Sequence, residues 1–197
     1  MAAILPRAPA AARGRFVWQA RGVEDAGLTD AGLTDAVLAA VVDEVMKKSG
    51  VCWLRYPGSE RERPVWQVWR DGSAYVVSGG PEQPLPGIDQ VDQAVVVTRS
   101  RDSRERVLAW RAHVTRLAPG DQEYDDAVRA LLADRLNLED FDETRRTWAE
   151  RCTVTRLEPT GVVEEYPGAL PDGDLAQVPP ATPATTRGAL PRVLHKR

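Results

Sequence analysis

The sequence has few of the residues that enzymes most often use for nucleophilic catalysis or metal binding. Its 197 residues include two cysteines and two histidines, and one of the histidines, His195, lies close to the C-terminus. Two cysteines without metal-ligand spacing exclude a disulfide scaffold and a cysteine-based metal site. His113 alone leaves too few ligands for a histidine metal site and disfavours Ser-His-acid or Cys-His catalysis. Hydrolase and metalloenzyme functions are therefore not expected.

Long apolar runs and a strong excess of one charge are also missing. No window approaches the roughly 18–20 uninterrupted apolar residues of a membrane span. The formal net charge of −3 gives no reason to expect binding to nucleic acid or to anionic lipid. The N-terminus lacks the apolar region of a signal peptide. We therefore expect a cytoplasmic protein with neither a nucleic-acid nor a membrane partner.

Nucleotide-binding and nucleophile motifs are absent as well. The sequence contains no phosphate loop ending in Gly-Lys-Ser/Thr, no Gly-x-Gly-x-x-Gly and no Gly-x-Ser-x-Gly. Two adjacent acidic pairs, Asp125-Asp126 and Glu164-Glu165, are interpreted as solvated charge. The chemistry must therefore come from the folded elements and not from a short motif.

Composition divides the chain into three parts. Residues 161–197 are rich in Pro, Gly, Ala and Thr, and such a segment buries too little apolar surface to offset its ordering entropy. We predict a disordered tail over 161–197 and a flexible arm over residues 1–20. The folded domain then spans 21–160, which is enough chain for one compact core.

The clearest local signal is Asp71-Gly72 between two runs rich in Val, Trp and Tyr. This pattern is typical of a two-residue hairpin with a type I′ turn. The register places Trp66, Val68, Tyr75 and Val77 on one face, and Val65, Trp69, Ala74 and Val76 on the other. Because both faces are apolar, we expect the hairpin to lie centrally in a barrel or beneath a partner subunit.

The other elements are predicted from apolar periodicity and turn residues. Helices are expected over 34–49, with Thr34 as N-cap, from Asp121 to 136, and over 140–150, where Asp140 and Glu143 are spaced like a capping box. Strands are expected over 51–56, 64–70, 73–78, 93–99, 106–117 and 152–157. Strands joined by tight turns pair antiparallel. The prediction is a mainly β fold, a six-stranded antiparallel barrel with Greek-key connections and two to three helices.

Aromatic and basic residues in the strands indicate a planar or anionic ligand. Tryptophans can stack on a ring system, and arginines near strand ends can hold a phosphate. The tryptophans concerned are Trp66, Trp69 and Trp110, and the arginines are Arg63, Arg70, Arg99, Arg101, Arg104, Arg106 and Arg111. The alternative, in which the tryptophans are core residues and the arginines are solvated, stays open.

The run from Arg63 to Gly80 resembles the first long hairpin of the pyridoxamine 5′-phosphate oxidase-like flavin-binding split barrels. It reads Arg-Pro-Val-Trp-Gln-Val-Trp-Arg-Asp-Gly and then Ser-Ala-Tyr-Val-Val-Ser-Gly-Gly. The Val-rich strand, the strand with Trp110-Arg111-Ala112 and the helix after Pro119 continue the similarity over residues 34–159. The resemblance implies a six-stranded split barrel and a homodimer with FMN or a deazaflavin coenzyme at the subunit interface.

The resemblance also implies a cofactor site, with one departure. The candidate contacts are Arg63, Trp66, Ser78, Gln83 and Arg99. After Ser78 the chain reads Gly-Gly-Pro-Glu-Gln, where flavin-binding members usually offer Lys or Arg to the phosphate. Two functions follow. The first is a flavin- or deazaflavin-dependent oxidoreductase of unknown substrate. The second is a cofactor-free split-barrel homodimer that acts as a binding or assembly module, with Trp66 and Trp110 filling the site.

A homodimer is also expected from the hairpin itself. In a monomer, the face carrying Val65, Trp69, Ala74 and Val76 would form an exposed apolar ribbon, which monomers rarely tolerate. A twofold interface buries such a face against its own copy. We therefore predict that this hairpin lies at the centre of the dimer and that Trp69→Asp causes dissociation or aggregation.

Overall fold

The computed structural model describes residues 35–172 apart from 101, 102, 104 and 136–139. Seven strands form one antiparallel sheet, and three α-helices pack against it. The helices are α1 Asp35–Lys48, α2 Gln122–Asp134 and α3 Phe141–Arg151. The strands are β1 Val51–Arg55, β2 Arg63–Trp66, β3 Val68–Arg70, β4 Ser73–Ser78, β5 Gln93–Arg99, β6 Arg106–Leu117 and β7 Thr153–Glu165. The arm predicted over 1–20 and the part of the tail from 173 onward lie outside the described residues.

Gln67 closes the sheet into a barrel. The strand order is β2-β1-β5-β6-β7-β4-β3, so β2 and β3 occupy the two edges although one residue joins them in sequence. Before Gln67 the chain pairs with β1, and after Gln67 it pairs with β4. The prediction of a mainly β antiparallel barrel with helices is confirmed. The predicted strand over 64–70 is divided at this residue, which makes seven strands instead of six.

The hairpin turn forms as predicted. Asp71 and Gly72 have φ angles of 50° and 76°, the positive values that both central residues of a type I′ turn require. Arg70 pairs with Ser73 across the turn. The Asp-Gly signal therefore sets the register of β3 and β4.

Both faces of the hairpin are covered within a single chain. One face, with Val65, Ala74 and Val76, lies in the barrel interior, where these side chains are 0% exposed. The opposite face, with Val68 and Val77, packs under α2 and α3. The expectation that the first face is exposed in a monomer is wrong, because the curled sheet turns that face inward and α1 packs against the same core.

Side chains on one face of each helix anchor it to the barrel. In α1, Leu38, Val42 and Met46 are buried in the interior core; its predicted cap, Thr34, lies outside the described residues. The N-cap predicted for α3 is confirmed, since Asp140 Oδ1 accepts a 2.9 Å hydrogen bond from the Glu143 backbone N–H. No helix in the described ranges is long and apolar enough to cross a membrane.

The final strand is longer than predicted. β7 continues to Glu165, and Tyr166 after it is 7% exposed and belongs to the interior core. The first residues of the predicted tail, from 161 onward, are therefore part of the fold. The cause is a long pairing with β6, which reaches Ala109 opposite Glu165.

The two glutamates at the end of β7 are paired with arginines. Glu164 binds Arg55 at 3.0 Å and Arg111 at 2.8 Å, and Glu165 binds Arg106 at 3.0 Å. The interpretation of Glu164-Glu165 as plain solvated charge is wrong, because β7 brings both side chains beside cations of neighbouring strands. These pairs hold the extended end of β7 on the sheet.

Candidate functional site

The structure brings three of the five predicted cofactor contacts together. The backbone N–H of Trp66 donates a 3.3 Å hydrogen bond to Gln83 Oε1. The backbone N–H of Gly79, the residue after Ser78, donates a 3.1 Å hydrogen bond to the Gln83 carbonyl oxygen. Ser78 itself is buried at the end of β4. Trp66, Ser78 and Gln83 thus surround one loop, residues 79–83.

The other two predicted contacts lie on opposite faces of the sheet. Arg63 pairs with Leu54 of β1, while the Arg99 guanidinium lies 4.9 Å from the ring centroid of Trp53. Trp53 and Leu54 are consecutive strand residues, so their side chains point to opposite faces. Arg99 also lies 3.9 Å from the Glu62 carboxylate. Arg63 therefore shares the face of Leu54, whereas Trp66, which pairs with Val51, shares the face of Trp53 and Arg99. The five residues do not form one site.

Arg63 is a half-buried cation without a carboxylate partner among the described residues. Its Nε is buried and makes no hydrogen bond. Burial raises the pKa of the nearby Tyr56 hydroxyl, and the positive charge of Arg63 opposes that rise. A partly desolvated guanidinium with unused donors stabilises an anion placed beside it. Arg63 is thus suited to hold a phosphate.

The residue missed by sequence reasoning is Arg135, which follows α2 directly. Its guanidinium carbon lies 5.9 Å from the Trp66 ring centroid and 5.6 Å from that of Trp148. A guanidinium at such distances from aromatic faces makes cation–π contacts. The packing of α2 and α3 on β4 places Arg135 there, so no local pattern around position 135 could indicate it. The 79–83 loop therefore does have a neighbouring cation, supplied from a distant part of the chain.

Glu82 neutralises Arg135 within the same cluster. A Glu82 carboxylate oxygen lies 2.7 Å from the Arg135 guanidinium, and the other accepts a 2.9 Å hydrogen bond from Trp148 Nε1. The Glu82 side chain is only 12% exposed. An anion approaching Arg135 would have to compete with a well-placed carboxylate. The cluster of Trp66, Glu82, Arg135 and Trp148 is consequently satisfied by its own partners.

The shape of the loop is constrained at Gly80. This residue has a φ of 54°, and a Cβ atom there would lie 3.0 Å from both the Arg151 carbonyl oxygen and Cys152 Sγ. The Cys152 thiol donates a 3.3 Å hydrogen bond to the Gly79 carbonyl oxygen. Burial raises the pKa of the Cys152 thiol, so it stays protonated near neutral pH. Cys152 therefore supports the shape of the loop through its hydrogen bond to Gly79.

Trp66 and Trp110 do not fill the same space. Trp66 packs with the outer cluster under α2 and α3, whereas Trp110 is 1% exposed in the barrel interior. Trp110 makes an edge-to-face contact with Trp69, with ring centroids 5.9 Å apart. The expectation that Trp66 and Trp110 together plug one pocket is wrong, because β2 and β6 direct them to opposite faces of the sheet. Within the described part of the chain, no group of three His, Cys, Asp or Glu residues is arranged to hold a metal.

Comparison with known proteins identifies similar folds. No protein-family model matches the sequence, and no curated protein matches it. Among solved structures, the chain is similar to HutZ, the heme storage protein from Vibrio cholerae, with 10% identity over 63% of this chain and 91% of that one, at a TM-score of 0.47. A FAD-binding protein from Mesorhizobium loti has 14% identity over 64% and 89% of the two chains, at a TM-score of 0.43.

A third similar structure carries the name of the family that the sequence resembles. It is a protein related to general stress protein 26, of the pyridoxinephosphate oxidase family, from Clostridium acetobutylicum. It has 7% identity over 64% of this chain and 86% of that one, at a TM-score of 0.43. The family suspected from the sequence is thus found among the structural neighbours. At these identities and TM-scores the similarity assigns neither a ligand nor a reaction to this chain.

Proposed function

We propose that this chain binds a phosphate-bearing flavin-type coenzyme, FMN or a deazaflavin, and acts as an oxidoreductase. The observation that carries the proposal is Arg63, a half-buried cation on β2 with no carboxylate partner in the described ranges and with a buried, unpaired Nε. Partly burying a charged guanidinium without an anionic partner has a free-energy cost. A coenzyme phosphate supplies that anion.

Three further side chains complete the proposed contacts. Trp66 lies on the same edge strand as Arg63 but its side chain points to the opposite face, so a coenzyme that contacts both must cross the edge of β2. Ser78 and Gln83 flank the neighbouring loop. In this proposal Arg63 binds the phosphate, and the other three orient the remainder of the coenzyme. When bound, the coenzyme supplies hydride transfer to or from the substrate. Arg99 takes no part, because its guanidinium already lies over the Trp53 ring and beside the Glu62 carboxylate.

The test is coenzyme titration of purified protein, following absorbance at flavin wavelengths. Arg63→Gln removes a charge-assisted hydrogen bond. We therefore expect the dissociation constant of FMN or deazaflavin to rise about 10- to 100-fold. Arg61→Gln is the matched control, since Arg61 is an exposed arginine two residues away. A protein that is colourless and binds neither coenzyme would refute the proposal. Equal affinities of the Arg63→Gln and Arg61→Gln variants would refute the role of Arg63.

A cofactor-free binding or assembly module is the second candidate. It is favoured by the ion pair between Glu82 and Arg135 and by the cap that Gln83 places on the Trp66 backbone N–H. Both interactions satisfy, from within the chain, groups that a coenzyme could use. The same titration separates the two candidates, since this one predicts no coenzyme binding by the wild-type protein.

We also propose a homodimer, on the resemblance to split-barrel proteins and not on the hairpin. The hairpin is covered by the chain's own core and helices, so another surface has to form the interface. Light scattering tests this, with an expected mass of twice the 21.7 kDa of one chain. A single-chain mass at micromolar concentration would contradict the proposal.

A further inference from the structure

A cage formed by Trp66, Glu82 and Trp148 holds a guanidinium group. The Arg135 guanidinium carbon lies 5.9 Å from the Trp66 ring centroid and 5.6 Å from that of Trp148, both within the range of cation–π contacts. A guanidinium nitrogen lies 2.7 Å from a Glu82 carboxylate oxygen. The chemistry of the group that fits this cage is therefore shown by its present occupant, a planar cation.

The walls of the cage are held by contacts that do not involve Arg135. Trp148 is 0% exposed, and its indole N–H donates a 2.9 Å hydrogen bond to the second Glu82 oxygen. The backbone N–H of Glu82 donates a 2.8 Å hydrogen bond to the Gly79 carbonyl oxygen. Trp66 is half-buried at the end of β2. The carboxylate and the two rings thus stay in place when the cation leaves.

Arg135 is attached to the cage by its side chain alone. It follows α2 in extended backbone, with φ of −81° and ψ of 127°, and its backbone N–H bonds to the Leu132 carbonyl oxygen. Of the residues that the structure describes, Glu82 alone forms an ion pair with its guanidinium. The Arg135 side chain is 30% exposed, against 12% for Glu82. Arg135 can therefore turn into solvent by rotation of its side chain, without any change in α2.

An empty cage is unfavourable, so the departure of Arg135 is coupled to the arrival of another cation. Without Arg135, the Glu82 carboxylate is largely buried and has no counter-charge, which is strongly destabilising. Trp148 supplies a hydrogen bond to this carboxylate but no positive charge. A guanidinium group suits the cage better than an ammonium group, because it is planar, stacks on aromatic faces and presents its donors in one plane to a carboxylate.

We infer that the cage of Trp66, Glu82 and Trp148 recognises a guanidinium group from outside the fold, and that Arg135 occupies the cage as an intramolecular competitor. The incoming group is the arginine side chain of a partner polypeptide or a free guanidinium compound, and the chemistry recognised is the same. The cage shares Trp66 with the proposed coenzyme site, but no step of the inference requires a coenzyme.

The experiment uses ethylguanidinium as the probe on the full-length protein and on its Arg135→Ala variant. The indole N–H signals of Trp66 and Trp148, assigned by triple-resonance NMR, report occupancy of the cage. Arg135→Ala should bind ethylguanidinium at least about tenfold more tightly than the wild type, because the tethered competitor is gone. Ethylammonium should bind this variant about three- to tenfold more weakly than ethylguanidinium, the factor for one net hydrogen bond.

The matched control is Arg129→Ala, which removes another arginine of α2. Arg129 pairs with Asp126 at 2.8 Å, and its side chain is 69% exposed, so this variant should bind ethylguanidinium as the wild type does. Adding Glu82→Gln to Arg135→Ala removes the charge of the cage and should weaken binding about tenfold or more.

A peptide arm separates the two sources of the guanidinium group. Binding of acetyl-Gly-Arg-Gly-amide to Arg135→Ala more tightly than ethylguanidinium supports a partner polypeptide, whereas equal affinity supports a free guanidinium compound. The inference is overturned if Arg135→Ala binds ethylguanidinium no more tightly than Arg129→Ala does, or no more tightly than it binds ethylammonium. It is also overturned if no concentration below the onset of unfolding shifts the Trp66 and Trp148 signals in the wild type.

Discussion

The side-chain amide of Gln67 donates a 3.2 Å hydrogen bond to the backbone carbonyl oxygen of Met46. Gln67 is the residue that joins the two edge strands of the sheet, and Met46 lies in the last turn of α1. The same amide also donates to the carbonyl oxygen of Ser49. The backbone N–H of Gln67 donates a 3.1 Å hydrogen bond to the carbonyl oxygen of Gly50. The point where the barrel closes is therefore fixed by the end of a helix.

Gln67→Ala should destabilise the protein. The Ser49 carbonyl oxygen loses its donor, while that of Met46 keeps a 3.2 Å hydrogen bond from the Ser49 backbone N–H. An acceptor left unsatisfied in a partly buried position costs about 1–3 kcal/mol. Urea denaturation measures the difference in the free energy of unfolding. Gln122→Ala is the control, because the Gln122 amide bonds to Asp126 on the exposed side of α2, and its effect should stay within about 0.5 kcal/mol. Equal losses in the two variants would contradict the role assigned to Gln67.

Trp69→Asp should lower the stability of the single chain and not dissociate a dimer through the hairpin. Trp69 packs on Trp110 and donates to Asp43, and removing a packed tryptophan costs about 3–5 kcal/mol. An aspartate at this position also faces the Asp43 carboxylate. Chemical denaturation measures the loss of stability, and light scattering measures the mass.

Trp69→Phe is the conservative counterpart of that change. It keeps an aromatic ring beside Trp110 but loses the hydrogen bond to Asp43, worth about 1 kcal/mol. Light scattering on this variant should give the wild-type mass. A lower mass at unchanged stability would restore the hairpin as an interface.

Local signals were sufficient for the elements that depend on neighbours in sequence. Asp71-Gly72 predicts the turn because its positive φ angles are a local requirement, and Asp140 predicts the start of α3 because its cap bond reaches only to Glu143. The apolar stripe of α2 likewise needs no distant partner to be recognised. These predictions succeed because the physical cause lies within a few residues.

The features that could not be predicted from the sequence depend on contacts between residues far apart in the chain. The alternation from Pro64 to Arg70 is continuous, so nothing in it marks Gln67 as the point where the strand changes partner. Arg135 reaches the loop of Glu82 only after α2 packs on the sheet. Of the five predicted cofactor contacts, spacing could not separate Arg63 from Arg99, because the face of each side chain depends on its pairing with β1.

Glu82→Gln tests whether Arg135 can contribute to coenzyme binding. The change keeps the side-chain shape but removes the charge that pairs with Arg135 at 2.7 Å. If the coenzyme phosphate lies beside Trp66 and not beside Arg63, the released guanidinium can bind it, and FMN affinity should rise about tenfold because the new hydrogen bond is charge-assisted. Absorbance titration measures the dissociation constant.

The matched control for that change is Glu123→Gln. Glu123 pairs with Arg156, also at 2.7 Å, but its side chain is 42% exposed, and exposed ion pairs contribute little. It should leave both FMN affinity and stability nearly unchanged. If Glu82→Gln also leaves FMN affinity unchanged, Arg135 is a structural residue of the Trp66–Trp148 cluster.

Stability should fall with rising pH above about 9 because of Cys52. Burial raises the pKa of the Cys52 thiol from 9.0 to about 12. In the unfolded chain the thiol loses its proton near pH 9, whereas in the folded protein the thiol stays protonated until about pH 12. Between pH 9 and pH 12 the folded state therefore binds more protons than the unfolded state, and the free energy of unfolding decreases as pH rises. The stabilising contribution is complete below pH 9 and disappears as pH approaches 12.

The comparison of wild type with Cys52→Ala between pH 8 and pH 10 isolates this effect. Burial also raises the pKa values of Tyr56, Tyr75 and Tyr124 above 10.0, so those groups act mainly at higher pH and equally in both proteins. One pH unit above the unfolded pKa, the thiol accounts for about 1.4 kcal/mol. The free energy of unfolding from urea titration should therefore drop by about this much more in wild type than in Cys52→Ala. Parallel curves would show that the thiol ionises equally in both states, which is incompatible with its burial under β2 and the barrel core.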